Sequence, residues 1–102
     1  MTAYNAAVAK TITQVAATVD TVQINTKPVA IEVVHQGNVS NPIYILTGPT
    51  LASVNTVTSA GDNCEVVLPG ERIRLGHTGA NNPDFVGIIG AGAAIVTVIG
   101  IK

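Results

Sequence analysis

The chain has 102 residues, of which 47% are hydrophobic and only 11% are charged, and its formal net charge is −1. This length fits one domain, with a core that needs no disulfide or metal ion to fold. Five Lys and Arg residues are too few for a surface that binds nucleic acid by neutralising phosphates. We therefore expect no nucleic-acid partner, and an exterior covered mainly by neutral residues such as the twelve Thr and eight Asn.

The first ten residues differ from the rest of the chain. They are rich in Ala, with a lone Tyr4, and they show neither strand alternation nor a strong helix cap. We predict that residues 1–10 form an N-terminal arm or a frayed terminus and that residues 11–102 form the folded domain. The start also lacks the basic and apolar regions of a secretory signal, and the single Cys64 cannot form an internal disulfide, so we expect synthesis in the cytoplasm.

Strand-forming residues dominate the chain, since Val, Ile and Thr together number 38. Alternation is clearest over Val29–His35, where the odd-numbered residues are predicted to face one side of a strand and the even-numbered residues the other. Turn residues such as Pro69-Gly70, which suits the centre of a type II turn, separate the strands. The predicted strands are Thr11–Ala16, Thr21–Thr26, Val29–His35, Pro42–Thr47, Ser53–Thr58, Cys64–Leu68, Arg72–His77, Phe85–Ile89 and Ala93–Ile101.

Short strands separated by frequent turns predict an all-β fold. We expect a single-domain antiparallel β-sandwich or a jelly-roll-like barrel. No helix long enough for a parallel crossover is predicted.

The uncharged run from Phe85 to Ile101 allows two interpretations. Its 17 residues reach the lower limit for a membrane-spanning helix, which would make the chain a tail-anchored membrane protein. Four Gly residues and many Ile and Val residues instead favour two buried strands divided at Gly90-Ala91-Gly92. We favour the strands and expect no membrane partner.

Few residues could carry out chemistry. His35, Cys64 and His77, with Asp62 near Cys64, are the candidates for a metal or nucleophilic site, but their spacing matches no zinc pattern. An enzyme that uses Cys64 and a histidine stays open as an alternative. We predict no catalytic residue, no cofactor and no bound metal.

Arg72 and Arg74 are the best candidates for contact with another protein. Two residues apart on a strand, they should project from the same face, with Glu71, Ile73 and Leu75 on the other side. That face is either simply solvated or forms salt bridges to a partner. We add Tyr4 and Lys10, in the predicted arm, to the candidate contact residues.

Several segments carry a resemblance to a known class of proteins. They are the Ala-rich start, the Thr-, Val- and Ile-containing segment Thr21–Ala30, Asn-Pro-Ile-Tyr-Ile at 41–45, Val-Val-Leu-Pro-Gly at 66–70 and a final strand of Gly, Ala, Ile and Val. In these the chain resembles small virion proteins of tailed phages, in particular capsid cement or decoration proteins.

The resemblance implies a function without catalysis. Such proteins are β-sandwiches or jelly rolls that assemble, often as trimers, on the outside of a capsid and clamp neighbouring subunits. It implies a homo-oligomer, with a trimer favoured, located on the virion and bound to the major capsid protein or another virion protein. A tail, fibre or connector module of a phage particle is the alternative.

Overall fold

The computed structural model describes residues 2–58, 64–76 and 84–101, and these residues contain nine strands and one short helix. The elements are β1 (Thr2–Ala6), β2 (Ala9–Thr13), β3 (Asp20–Ile24), β4 (Ala30–His35), β5 (Ile43–Gly48), α1 (Leu51–Val54), β6 (Glu65–Val67), β7 (Arg72–Gly76), β8 (Phe85–Gly90) and β9 (Ile95–Ile101).

The strands form two sheets that pack face to face, which confirms the predicted all-β sandwich. One sheet has five strands in the order β1-β3-β8-β5-β6, and the other has four in the order β2-β9-β4-β7. Neighbouring strands are antiparallel except β1, which runs parallel to β3.

The core between the sheets is made mainly of Val and Ile side chains from alternate positions of the strands. Ile31 and Val33 of β4 have no exposed surface, as the predicted alternation requires. Val29 does not follow it, because it precedes β4 and is 47% exposed. Branched side chains suit the core positions, since they pack closely on a pleated surface.

Eight of the nine predicted strands overlap observed strands. The predicted strand Ser53–Thr58 is wrong: the chain forms the helix α1 there, capped by reciprocal hydrogen bonds between Thr50 and Ser53. The side chains of Val54 and Val57 pack against the face of the five-stranded sheet that points away from the other sheet, and both are buried there. Gly87 of β8 provides the space, because a Cβ at that position would lie 2.1 Å from the carbonyl oxygen of Val54.

The N-terminal segment also differs from the sequence prediction. Residues 2–6 are the edge strand β1, and Lys10 belongs to β2, so an arm over residues 1–10 is not what the described residues form. The reason is that Tyr4 and Ala6 lie opposite Val22 and Ile24 of β3 and pack against the core. The alternation is hard to recognise in the sequence, because Ala6 is small and Tyr4 is the one large side chain in the segment.

The uncharged C-terminal run forms β8 and β9, as predicted, and both strands contribute buried residues to the core. Among the described residues there is no helix with the length and apolar character needed to span a membrane. The tail-anchor interpretation required this run to be helical, and the structure contradicts it.

A tight corner between β6 and β7 connects the two sheets. Gly70 has a φ of +79°, and the N–H of Glu71 donates to the carbonyl of Leu68 at 2.9 Å, which agrees with the predicted type II turn. The backbone of His35 bonds both Gly70 and Glu71, at 3.0 Å each. The corner therefore fixes the start of β7 beside the end of β4.

We predict that Ile31→Asp destabilises the protein by about 3–5 kcal/mol or prevents folding, because it buries a charge without a partner. Val29→Asp should cost less than about 1 kcal/mol, since Val29 is outside the core. Urea unfolding followed by circular dichroism compares the two variants. Similar stabilities would mean that the inward face of β4 has been misplaced.

Gly87→Ala should destabilise the fold by about 1–3 kcal/mol more than Gly90→Ala, because the new methyl group displaces the backbone of α1. Both glycines lie in β8, so the two substitutions change the unfolded chain alike. At Gly90 a Cβ has its nearest neighbour at 3.2 Å, a side-chain methyl group of Ile43. Thermal unfolding of both variants measures the difference, and equal losses would contradict the close packing of α1 on Gly87.

Candidate protein-contact face

The histidine that the structure describes is a core residue. His35 is 1% exposed, its Nδ1 accepts the N–H of Gly37 at 3.0 Å, and its Nε2 lies 2.9 Å from the carbonyl oxygen of Asn41. The bond from Gly37 places the ring proton on Nε2, which donates to Asn41. Both ring nitrogens are thus engaged in holding the loop after β4, and neither is available to activate a nucleophile.

Of the other residues considered for chemistry, the structure describes Cys64. Cys64 is half-buried just before β6, while Asp62 and His77 lie outside the described residues. Within residues 2–58, 64–76 and 84–101, no three His, Cys, Asp or Glu side chains are grouped in a way that could hold a metal ion.

The four predicted contact residues fall into two pairs on opposite borders of the sandwich. Tyr4 and Lys10 are both half-buried, and the Lys10 Nζ lies 5.8 Å from the centre of the Tyr4 ring, within reach of a cation–π contact. Lys10 is in β2, at one border, and Arg72 and Arg74 are in β7, at the other. Tyr4 also packs on the core, so this pair mainly closes its own border of the sandwich.

Arg72 and Arg74 project from the outer face of the four-stranded sheet, as predicted, whereas Ile73 and Leu75 pack against the core. The register explains the arrangement: Arg74 lies opposite Glu32 of β4, and Arg72 lies opposite Val34. Both side chains therefore reach the carboxylate of Glu32 from one side.

Glu32 is the centre of this cluster. One Arg72 Nη donates to its carboxylate at 2.7 Å, and the nearest guanidinium nitrogen of Arg74 lies 3.8 Å from the second carboxylate oxygen. The Glu32 side chain is 10% exposed, but the two arginine side chains are 64% and 63% exposed. The carboxylate is thus shielded from water while most of each guanidinium arm faces solvent.

The other described residues of this outer face are uncharged. Thr11 of β2 and Thr97 of β9 share a hydrogen bond at 2.9 Å, and Gln36 donates to the Thr97 hydroxyl at the same distance. Ile99 lies beside Glu32 on the side away from Arg74. We call the whole surface the arginine face, and its residues are Thr11, Glu32, Val34, Arg72, Arg74, Thr97 and Ile99.

The arginine face combines two features of a protein-contact surface. Its Thr, Val and Ile side chains carry no charge that a partner would have to desolvate. Its two guanidinium groups sit next to a single carboxylate, so hydrogen-bond donors are left over for another acceptor.

Glu32 was not among the contact residues predicted from the sequence. Arg72 and Glu32 are 40 positions apart, and only the pairing of β4 with β7 brings them together. The signal that could have found it is the alternation of side chains along the strand, which places Glu32 on the outer face between the inward residues Ile31 and Val33.

Comparisons with known proteins do not assign the chain to a family. No protein-family model matches the chain, and no curated protein matches it.

We predict that Arg72→Gln destabilises the protein by about 1–2 kcal/mol, because the shielded carboxylate of Glu32 loses its close donor. Arg74→Gln, on the same strand and equally exposed, should cost less than about 0.5 kcal/mol, since its contact is beyond hydrogen-bond distance. Adding Glu32→Gln to Arg72→Gln should recover most of the loss. Urea unfolding of these variants measures the three changes in stability. Equal effects of Arg72→Gln and Arg74→Gln would contradict the assignment of Arg72 as the close donor to Glu32.

Proposed function

We propose that this protein is a structural component of a phage particle, which binds and stabilises the outer surface of the capsid as a cement or decoration protein. The observation that carries the proposal is the arginine face, a largely uncharged sheet surface with a pair of solvent-facing guanidinium groups. In this function the partner is the major capsid protein or another virion protein, and the protein acts as a homo-oligomer, with a trimer favoured.

The distribution of charge supports a contact function. Of the described acidic residues, Asp20 and Glu32 are buried, and most of the surface residues are neutral. Close packing against other subunits is easier for such a surface, because few charges lose their hydration in the interface. An assembly of many copies adds to this advantage, since like charges on neighbouring copies would repel one another.

The fold supports the same proposal. Edge strands carry unpaired backbone groups, and these are shielded when a neighbouring subunit covers them. The described part of the chain has four edge strands: β1 and β6 in one sheet, and β2 and β7 in the other. β7 carries Arg72 and Arg74, so contact residues and an open backbone edge lie on one border of the sandwich.

The experiment adds purified protein to capsids that lack it, prepared from the phage whose genome encodes it. We expect the protein to sediment with the capsids and to raise the temperature at which they break open, because a clamp across subunits opposes their separation. Light scattering during heating measures this temperature.

Purified tails of the same phage are the control. Binding to tails and not to capsids would contradict the capsid assignment and favour the tail, fibre or connector alternative. Absence of binding to either surface would contradict a structural function on the particle.

A further inference from the structure

The position of Glu32 is unusual for a residue that only keeps a surface soluble. It lies on β4, an inner strand of its sheet, and its outward side chain is nevertheless only 10% exposed. Shielding a carboxylate from water is unfavourable unless donors compensate it. Arg72 supplies that donor at 2.7 Å, so Glu32 fixes the Arg72 guanidinium against the sheet.

Arg74 is held differently. Its guanidinium group comes no closer than 3.8 Å to the Glu32 carboxylate, too long for a hydrogen bond, and it donates no hydrogen bond to another described residue. Two guanidinium groups therefore share one carboxylate, and the cluster carries a net charge of +1 (two positive charges and one negative) in a molecule whose overall charge is −1. A planar guanidinium with unused donors matches a carboxylate in shape as well as charge.

We propose that the arginine face docks onto a protein surface that presents an Asp or Glu carboxylate among uncharged residues, with Arg74 and the free edge of Arg72 binding that carboxylate. The inference rests on the proposed function, in which this partner surface belongs to the capsid. The neutral rows through Thr97 and Ile99 cover the uncharged area around the partner's carboxylate. Glu32 is a positioning residue, since it orients Arg72 and does not itself meet the partner.

Charge also decides against two other occupants of this face. A second copy of the chain docked through the same face would offer no unpaired carboxylate, because Glu32, the acidic residue of that face among those described, is already bonded to Arg72. A nucleic acid would meet a chain with a negative overall charge and a face without aromatic residues on which bases could stack.

The test compares the binding of three proteins to capsids of the encoding phage by sedimentation: the natural sequence, the triple variant Glu32→Gln/Arg72→Gln/Arg74→Gln, and Lys27→Gln. The triple variant removes all charges of the cluster together, so no shielded carboxylate is left unpaired. Lys27 is a cation in the turn before β4, outside the arginine face, and it is the matched control.

We expect the triple variant to bind at least about tenfold more weakly and to lose the salt dependence of binding, because the charge pairing across the interface is gone. Lys27→Gln should change affinity by less than about twofold. Circular dichroism verifies that the variants are folded. A folded triple variant that binds as tightly as the natural protein would overturn the inference.

If the natural protein binds no capsid, the proposed function fails, and the docking chemistry is tested by itself with poly-L-glutamate as the probe. In an NMR titration, chemical-shift changes on the arginine face that disappear in the triple variant would support the inference. Unchanged spectra of the natural protein would overturn it.

Discussion

The alternation of side chains along a pleated strand is the constraint on which the rest of this structure depends. Every second side chain of a strand points into the space between the sheets. Apolar side chains pack closely in that space. Here these are mainly Val and Ile, with Ile31 and Val33 as examples that water does not reach. Among the described residues the outer face of the four-stranded sheet carries the charges of Glu32, Arg72 and Arg74, which are too few to cover it.

The outer face of the four-stranded sheet shows the consequence most clearly. Its one acidic side chain among the described residues, Glu32, is covered by Arg72, and the guanidinium group of Arg74 lies beside the pair without a hydrogen bond to a described residue. Threonine and branched aliphatic side chains occupy the rest of the face. Since the backbone corner at Gly70 and Glu71 fixes the start of β7 against β4, the arginines are placed by the fold and not by their own flexibility.

The sequence predicts most of the sandwich, because strand composition and turn residues agree along the chain. Prediction fails where tertiary packing overrides local preference. Ser53–Thr58 has the Val and Thr content of a strand, but the cap at Thr50 and the space over Gly87 let Leu51–Val54 form a helix. Residues 2–6 resemble an arm until β3 supplies the neighbour against which Tyr4 and Ala6 alternate.

The candidate site, too, is predictable from the sequence only in part. The shared face of Arg72 and Arg74 follows from their spacing of two and is predictable. Their pairing with Glu32 depends on the register between β4 and β7, which no local pattern specifies. The partner surface belongs to a second molecule, so the sequence of this chain does not specify it.

A cryo-EM map of the purified phage particle tests the central claim most directly, because it locates the chain and shows which sheet faces its neighbour. The account predicts density for the sandwich on the outside of the capsid, with β7 and the outer face of the four-stranded sheet against a capsid subunit and an acidic residue within reach of Arg74. A map in which that face is turned to solvent, or in which the chain is absent from the capsid, would contradict the account.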